Sequence, residues 1–462
     1  MQQHENLQTI PILIEDSEWK VNTGSDKIHA KRVSGYFRTI KRLTATIWLI
    51  FFLGPYLRWE DRQAILFDIA GSRFHLFGVT VYPYDLWLLS FVLLFFAMLL
   101  VILSVLIGRA FCGYFCFQTV WTDMFSWIEE HLEGPPRIRA ALDAAPWGLS
   151  KTTRKLTKHS IWLLISMLTG VSFAAWFTDA YQLWIDYFTL EAHISAWIVL
   201  ILFTSGTYLF AGFMREQVCF WLCPYARIQS VLYDDNTLLP VYDKSRGEPR
   251  AKLNRSVENQ HVGCIDCDQC LAVCPTGVDI REGEQIGCIT CGLCIDACDN
   301  VMDKINQPRG LIRYKSLGHK YYQWYRRPQV LVSSVMIIIS IIMVSYGLTD
   351  ITEAELSVSP KRQPVYVLMS DGNVQNTYQL KIFNKSQSDK SYRIEVDGFG
   401  KMMVTGNSKP LQVKSGNGAN TLVYVKIARD QLSSNISPLT FRITNILGES
   451  LPIEVQSVFV SP

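Results

Sequence analysis

Five long apolar runs, two complete four-cysteine runs and a tail of short alternating strands predict the fold class. It is an α-helical membrane bundle of five spans, with an inserted two-cluster ferredoxin segment of the bacterial type and a C-terminal all-β, immunoglobulin-like domain. The chain has 462 residues, only 18% of them charged and 12% aromatic. Its mean hydropathy of +0.14 lies between a soluble protein and a pure membrane bundle. The formal net charge of +3 is too small to argue for nucleic acid, and no nucleic-acid partner is expected.

A helix needs roughly 20 mostly apolar residues to cross about 30 Å of hydrocarbon. The qualifying runs are 41–58, 86–107, 161–178, 194–214 and 329–348. The first is the weakest, being short and carrying Gly54 and Pro55. The second and fifth stay apolar on all sides, as water-facing helices rarely do. The lipid bilayer is therefore the first expected partner. The first forty residues are polar, so the run beginning near Leu43 reads as a retained anchor rather than a cleaved signal.

Orientation follows from Lys and Arg in short flanks. "KIHAKRVSGYFRTIKR" precedes the first run, "KTTRKLTKHS" the third and "KYYQWYRRP" the fifth, while "DAYQLWIDYFTLEAH" between the third and fourth has neither residue. The N-terminus, residues 108–160 and residues 215–328 are thus expected on the cytoplasmic side, with everything after about 349 outside. All twelve cysteines fall on the reducing side of that topology, which favours metal ligation over disulfides.

Residues 264–298 contain C-x2-C-x2-C-x3-C twice. Three thiols of such a run wrap one iron–sulfur cubane, and the fourth reaches the other cluster. The expected ligands are Cys264, Cys267, Cys270 and Cys298 for one [4Fe–4S] cluster, and Cys288, Cys291, Cys294 and Cys274 for the second. Pro275 follows Cys274, whereas Asp299 stands at the equivalent place after Cys298. Zinc, which commonly uses two separated CxxC knuckles, fits this compact spacing less well.

Four thiols remain: Cys112 and Cys116 in "GRAFCGYFCFQTVW", and Cys219 and Cys223 in "EQVCFWLCPYARIQ". The two stretches repeat each other, each following an apolar run. Residues i and i+4 share a helix face, so each pair is a candidate two-thiolate clamp and the only candidate for a catalytic site. Together they could form a soft site suited to Cu(I), zinc or an iron–sulfur cluster. A redox dithiol and plain helix packing are the other readings. Among the eight histidines, His193 with Glu191 in the outer loop reads as solvent-facing.

"CGYFCFQTVWTD", "CPYARIQSVLYDD", "GCIDCDQCLAVCPTGVDIR" and a fifth span followed by a β-rich tail resemble the FixG/RdxA/CcoG family of membrane polyferredoxins. Phe117 departs from that family's usual Pro. The resemblance implies a multi-pass bacterial inner-membrane protein acting in assembly of cbb-type cytochrome c oxidase. It also implies reduction of Cu(II) to Cu(I), with copper at Cys112, Cys116, Cys219 and Cys223 as a candidate. Implied partners are oxidase assembly factors or copper chaperones; the electron donor stays unknown and a homodimer stays open. The competing readings are a quinol-linked subunit serving a periplasmic reductase and a non-redox scaffold.

The expected domains are an N-terminal segment (1–40), four spans with C-x3-C motifs at their ends (41–214), a ferredoxin-like segment (215–328), a fifth span (329–348) and a periplasmic sandwich (349–462). Within these, 131–158 reads as polar and loop-like around "EGPPRIR", and 236–260 as a charged linker. After about 350, runs such as "TYQLKIFN", "SYRIEVDG" and "LTFRITN" alternate between turn residues, over about the length of one immunoglobulin-like domain.

Overall fold

The computed structural model describes residues 28–461, apart from 29, 60–61, 70, 72, 78, 83–84, 233, 252–262, 317, 319–320, 350–353, 387, 399–400, 407–408, 432–434 and 447–451. Most of the expected N-terminal segment, and residues 252–260 of the expected linker, lie outside the described residues. The chain forms two compact units, one of residues 1–81 and 89–341, the other of 82–88 and 342–462.

In the first unit, α1 (Tyr36–Thr46) is followed by the short α2 (Leu49–Leu53) and a 3₁₀ turn at Gly54–Tyr56. The first apolar run is therefore broken. Ile47 and Trp48 donate to carbonyls three residues back, tightening the chain at the break, and Pro55 has no N–H to continue a helix. After α3 (Leu86–Ile107) come α4 (Ala110–Tyr114), α5 (Phe117–Glu133), α6 (Pro136–Ala144) and α7 (Leu149–Ala174). The polar stretch 131–158 is thus largely helical, and α6 starts inside the expected "EGPPRIR" loop. Pro136 opens α6 at the first helical position, where its missing N–H costs nothing.

Helix α7 has 26 residues, but its first half carries Lys151, Arg154, Lys155 and Lys158. The apolar part, 161–174, spans only about 21 Å at 1.5 Å per residue. α8 (Ala180–Thr189) and α9 (Ile194–Leu209) follow, and α9 runs on through a π turn at Phe210–Met214. The unit continues through a second π turn at Val218–Leu222, then α10 (Pro224–Leu232), α11 (Leu293–Lys304) and α12 (Pro328–Thr349), whose residues from 342 on belong to the second unit. Among the described residues three helices are long and apolar enough to cross a membrane: 87–107, 194–214 and 328–349. Five such helices are not found; the first and third runs differ for the reasons just given.

The segment between the first and second apolar runs holds β-structure. β1 (Arg58–Trp59) pairs with β2 (Arg62–Gln63), and β3 (Ile65–Asp68), β4 (Arg73–Leu76) and β5 (Val79–Val81) form a three-stranded antiparallel sheet. Alternation in "ILFDIAGSRFHLFGVTV" was the signal for it. Asp179 caps α8 through Tyr181 N–H at 3.0 Å and ion-pairs with Arg58 at 2.5 Å. His193 caps α9 by accepting from Ser195 N–H and is exposed, which accounts for it without a metal.

The second unit is a β-sandwich. One sheet has the order β12 (Met402–Thr405), β14 (Gly418–Ala428), β10 (Asn373–Asn384) and β8 (Ala354–Pro360), with β9 (Val367–Leu368) beside β10. The other has the order β13 (Leu411–Val413), β11 (Lys390–Asp397), β15 (Ile436–Asn445) and β16 (Ile453–Val460). Period-2 alternation puts Val374, Tyr378, Leu380 and Ile382 of β10 into the core with Phe441 and Ile443 of β15. The Tyr378 hydroxyl donates to Val458 carbonyl at 2.8 Å, tying the sheets together. Phe441 is fully buried, 4.9 Å between ring centroids from Tyr378. Phe441→Ala is expected to cost this domain roughly 3–5 kcal/mol, read as a lower unfolding temperature of the full chain.

Candidate metal centres

The two four-cysteine runs fold as the same loop twice. Asp266 and Thr290, each just before the second cysteine of its run, have positive φ (50° and 48°). Asp268 and Gly292, each just after it, do too (55° and 70°). Paired left-handed residues coil the backbone so that neighbouring thiols turn inward. Asp and Gly accept that geometry readily; a β-branched Thr does not. Thr290 is held there by bonds at both ends, its hydroxyl donating to Ile107 carbonyl at 3.3 Å and its carbonyl accepting from Tyr314.

Cys264, Cys267, Cys270 and Cys298 line one cavity together with Tyr242, Arg281 and Met302. Cys274, Cys288, Cys291 and Cys294 line a second, with Val278, Ile289 and Leu293. Each set draws its fourth thiol from the other run. The Cys294 thiol is also raised by Cys270 of the other set, so the cavities are neighbours. Val278 N–H donates to Cys274 Sγ at 3.3 Å, the kind of backbone bond that tunes cluster sulfurs. Cys267 is the exposed edge of the first cavity.

Burial pushes these thiols up, Cys270 to about 11 and Cys288 and Cys298 to about 12. Left alone they keep their protons at neutral pH, and metal loading must release them. Thiolates sharing one zinc at about 2.3 Å would crowd within roughly 4 Å of one another. Among the described residues no group of three or more His, Cys, Asp or Glu is so gathered. Four thiols around a shared cavity supply the four thiolates a cubane takes.

The surrounding chain braces the centres. β6 (Leu239–Tyr242) pairs with β7 (Ile312–Lys315) beside them. Arg281 is clamped by Asp266, Asp268 and Asp279 at 2.6–2.8 Å, with its side chain only 7% exposed. Ahead of α1, Lys31 N–H donates to Ala272 carbonyl at 2.7 Å, and Asp296 of α11 accepts from Arg38 N–H at 2.8 Å. The 31–38 segment thus straps the ferredoxin loops, which nothing in its sequence announced.

The remaining cysteines do not sit on regular helices. Cys112 lies in α4, and Cys116 is the N-cap of α5 after a break. Cys219 lies in the second π turn, and Cys223 closes it by donating N–H to Val218 carbonyl, five residues back, at 2.9 Å. The expectation of i, i+4 pairs on one α-helix face is corrected accordingly. The four nevertheless come together: each of the six pairs repels electrostatically as thiolates. Burial lifts Cys112 to about 11 and Cys219 to about 12, with Arg109 opposing in both.

The chain is 38% identical over 441 residues to the protein RdxA of Cereibacter sphaeroides, covering 91% of this chain and 92% of RdxA. This chain belongs to the FixG/RdxA family. It is also 36% identical over 445 residues to the nitrogen fixation protein FixG of Rhizobium meliloti, covering 87% and 84% of the two chains. A crystal structure of a FixG-related protein from Vibrio parahaemolyticus matches 24% of this chain and 97% of its own, at 31% identity and a TM-score of 0.22.

Three family models divide this FixG/RdxA-family chain. Residues 214–317 match a 4Fe-4S dicluster domain, residues 89–135 a 4Fe-4S binding domain, and residues 344–462 an Ig-like fold at the C-terminus of FixG. The protein is an iron–sulfur protein of the electron-transfer type, with an Ig-like C-terminal domain.

Proposed function

We propose that this protein reduces Cu(II) to Cu(I) at a membrane surface, serving assembly of a cbb-type cytochrome c oxidase. In this reading Cys264, Cys267, Cys270 and Cys298 hold one [4Fe–4S] cluster, and Cys274, Cys288, Cys291 and Cys294 the other. Such clusters exchange single electrons, and Cu(II) needs one electron to become Cu(I).

The observation that carries the reading is the adjacency of the two four-thiol cavities, each completed by a cysteine from the other run. The chain's residues set their different exposures. Ile289, Leu293 and Val278 keep water from the second cavity, while Cys267 leaves the first open at one edge. That edge is where an ion or a donor approaches. The Lys- and Arg-rich flanks hold the centres on the cytoplasmic face of a bacterial inner membrane in this reading, with 349–462 in the periplasm. The runs at 41–58 and 161–178 then join the three long helices within the bilayer.

The test uses anaerobically purified protein, reduced with dithionite and desalted. Cu(II) is added with a Cu(I)-specific chelator. One Cu(I) per reoxidised cluster is expected; clusters that stay reduced with no Cu(I) formed would overturn the proposal.

A further inference from the structure

We infer that Cys112, Cys116, Cys219 and Cys223 hold a third iron–sulfur cluster, set beside the second ferredoxin centre. This rests on the reading that the ferredoxin segment carries clusters, and extends it to thiols outside that segment.

The four thiols reach one place from two distant parts of the chain, and every pair is within electrostatic reach of the others. The ferredoxin thiols show the same relation within each set. Cys116 and Cys223 each immediately precede a helix, α5 and α10, of 17 and 9 residues. Helix N-termini favour the anionic thiolate.

The second, independent observation is Arg109. It is 2% exposed, it donates to the carbonyl of Ile286 and reaches the Cys112 thiol, and its Nε has no partner. Among the described residues no carboxylate pairs with it. A guanidinium cannot shed its charge, and a buried charge without a counter-charge is strongly unfavourable. Three thiols lie within its electrostatic reach, Cys112 and Cys219 on one side and Cys288 of the second centre on the other, while Glu284 lines the same cavity without pairing to it. A cubane with four thiolates is an anion, and would supply the missing counter-charge.

Placement beside the second centre follows from contact. The Tyr114 hydroxyl, between Cys112 and Cys116, donates to Cys291 carbonyl at 2.9 Å. Gly113 lies so close that a Cβ there would stand 2.6 Å from Ile289 carbonyl and 3.1 Å from Cys291 Cα. Only glycine lets the two loops meet.

The test is iron and acid-labile sulfide content of the full chain, reconstituted anaerobically. About twelve of each per chain are expected, and about eight in the C112S/C219S variant, where each cluster holds about four. A second measurement needs no variant. A small alkylating agent should spare Cys116, Cys219 and Cys223 of the loaded protein and modify them once iron is stripped. About eight irons in the wild type, with Cys219 alkylated regardless of loading, would overturn the inference while leaving the ferredoxin reading intact. So would about eight irons together with copper that is lost in C112S/C219S. No iron at all would defeat the ferredoxin reading itself.

Discussion

Replacing Cys294 by serine will remove one cluster and leave the ferredoxin's other centre loaded. Cys294 lines the inner of the two cavities, where burial drives its thiol far up and Cys288, Cys291 and Cys274 crowd it. Serine keeps the volume but offers a harder, poorly ionised oxygen in place of a soft sulfur. Iron content should fall by about four atoms per chain, one cluster's worth, with loss of that cluster's electron paramagnetic resonance signal. Transfer to Cu(II) should fall by about the same share or more, because the inner centre adjoins the remaining thiols. Unchanged iron content in C294S would contradict the ligand set. Cys267→Ser, at the exposed edge of the other cavity, should remove the other cluster and its distinct signal.

The second large effect is expected in the buried ion pairs of α5. Glu129 on α5 is fully buried and meets three cations: Arg139 at 3.0 Å, Arg215 at 2.9 Å and Lys158 at 3.2 Å. Glu133, one turn on, takes Lys158 at 2.8 Å and Lys155 at 3.0 Å. Glu129→Gln keeps the shape and removes the charge. Breaking a buried pair this way typically costs about 3–5 kcal/mol, since the partners stay buried without compensation. Lys158, held below its ordinary value by burial despite both glutamates, can lose its proton; Arg139 and Arg215 cannot. Thermal unfolding in detergent should show a large drop for E129Q. Arg442→Ala, which breaks an exposed pair with Glu454 at 2.6 Å, should leave the unfolding temperature almost unchanged. Equal effects of the two substitutions would remove the argument for the buried network.

Both predictions bear on how much was legible in the chain. The ferredoxin loops were, because their ligands lie within a few dozen residues and the spacing itself encodes the wrap. The sandwich strands were, because period-2 alternation survives in "TYQLKIFN" and "LTFRITN". The helical character of α6 and early α7 was not legible in the polar stretch 131–158, because residues such as Arg139 and Lys158 are buried by ion pairing rather than exposed. Lys158 looks like a solvated residue until Glu129 and Glu133 are placed beside it. The break between α1 and α2 was missed because apolar composition continues through it.

By itself the sequence determined the two four-cysteine loops, the three long apolar helices and the alternating strands. Each depends on neighbours along the chain, through helix or strand period and ligand spacing. Only the tertiary structure decided that Cys112 and Cys219, more than a hundred residues apart, share a site with Arg109 beside them. It also decided that Gly113 and Tyr114 press this site against Cys291, and that Glu129 gathers three cations. Those contacts have no local period to betray them: they arise where separate helices pack, and the cost of an unpaired buried charge or a colliding Cβ exists only once they do.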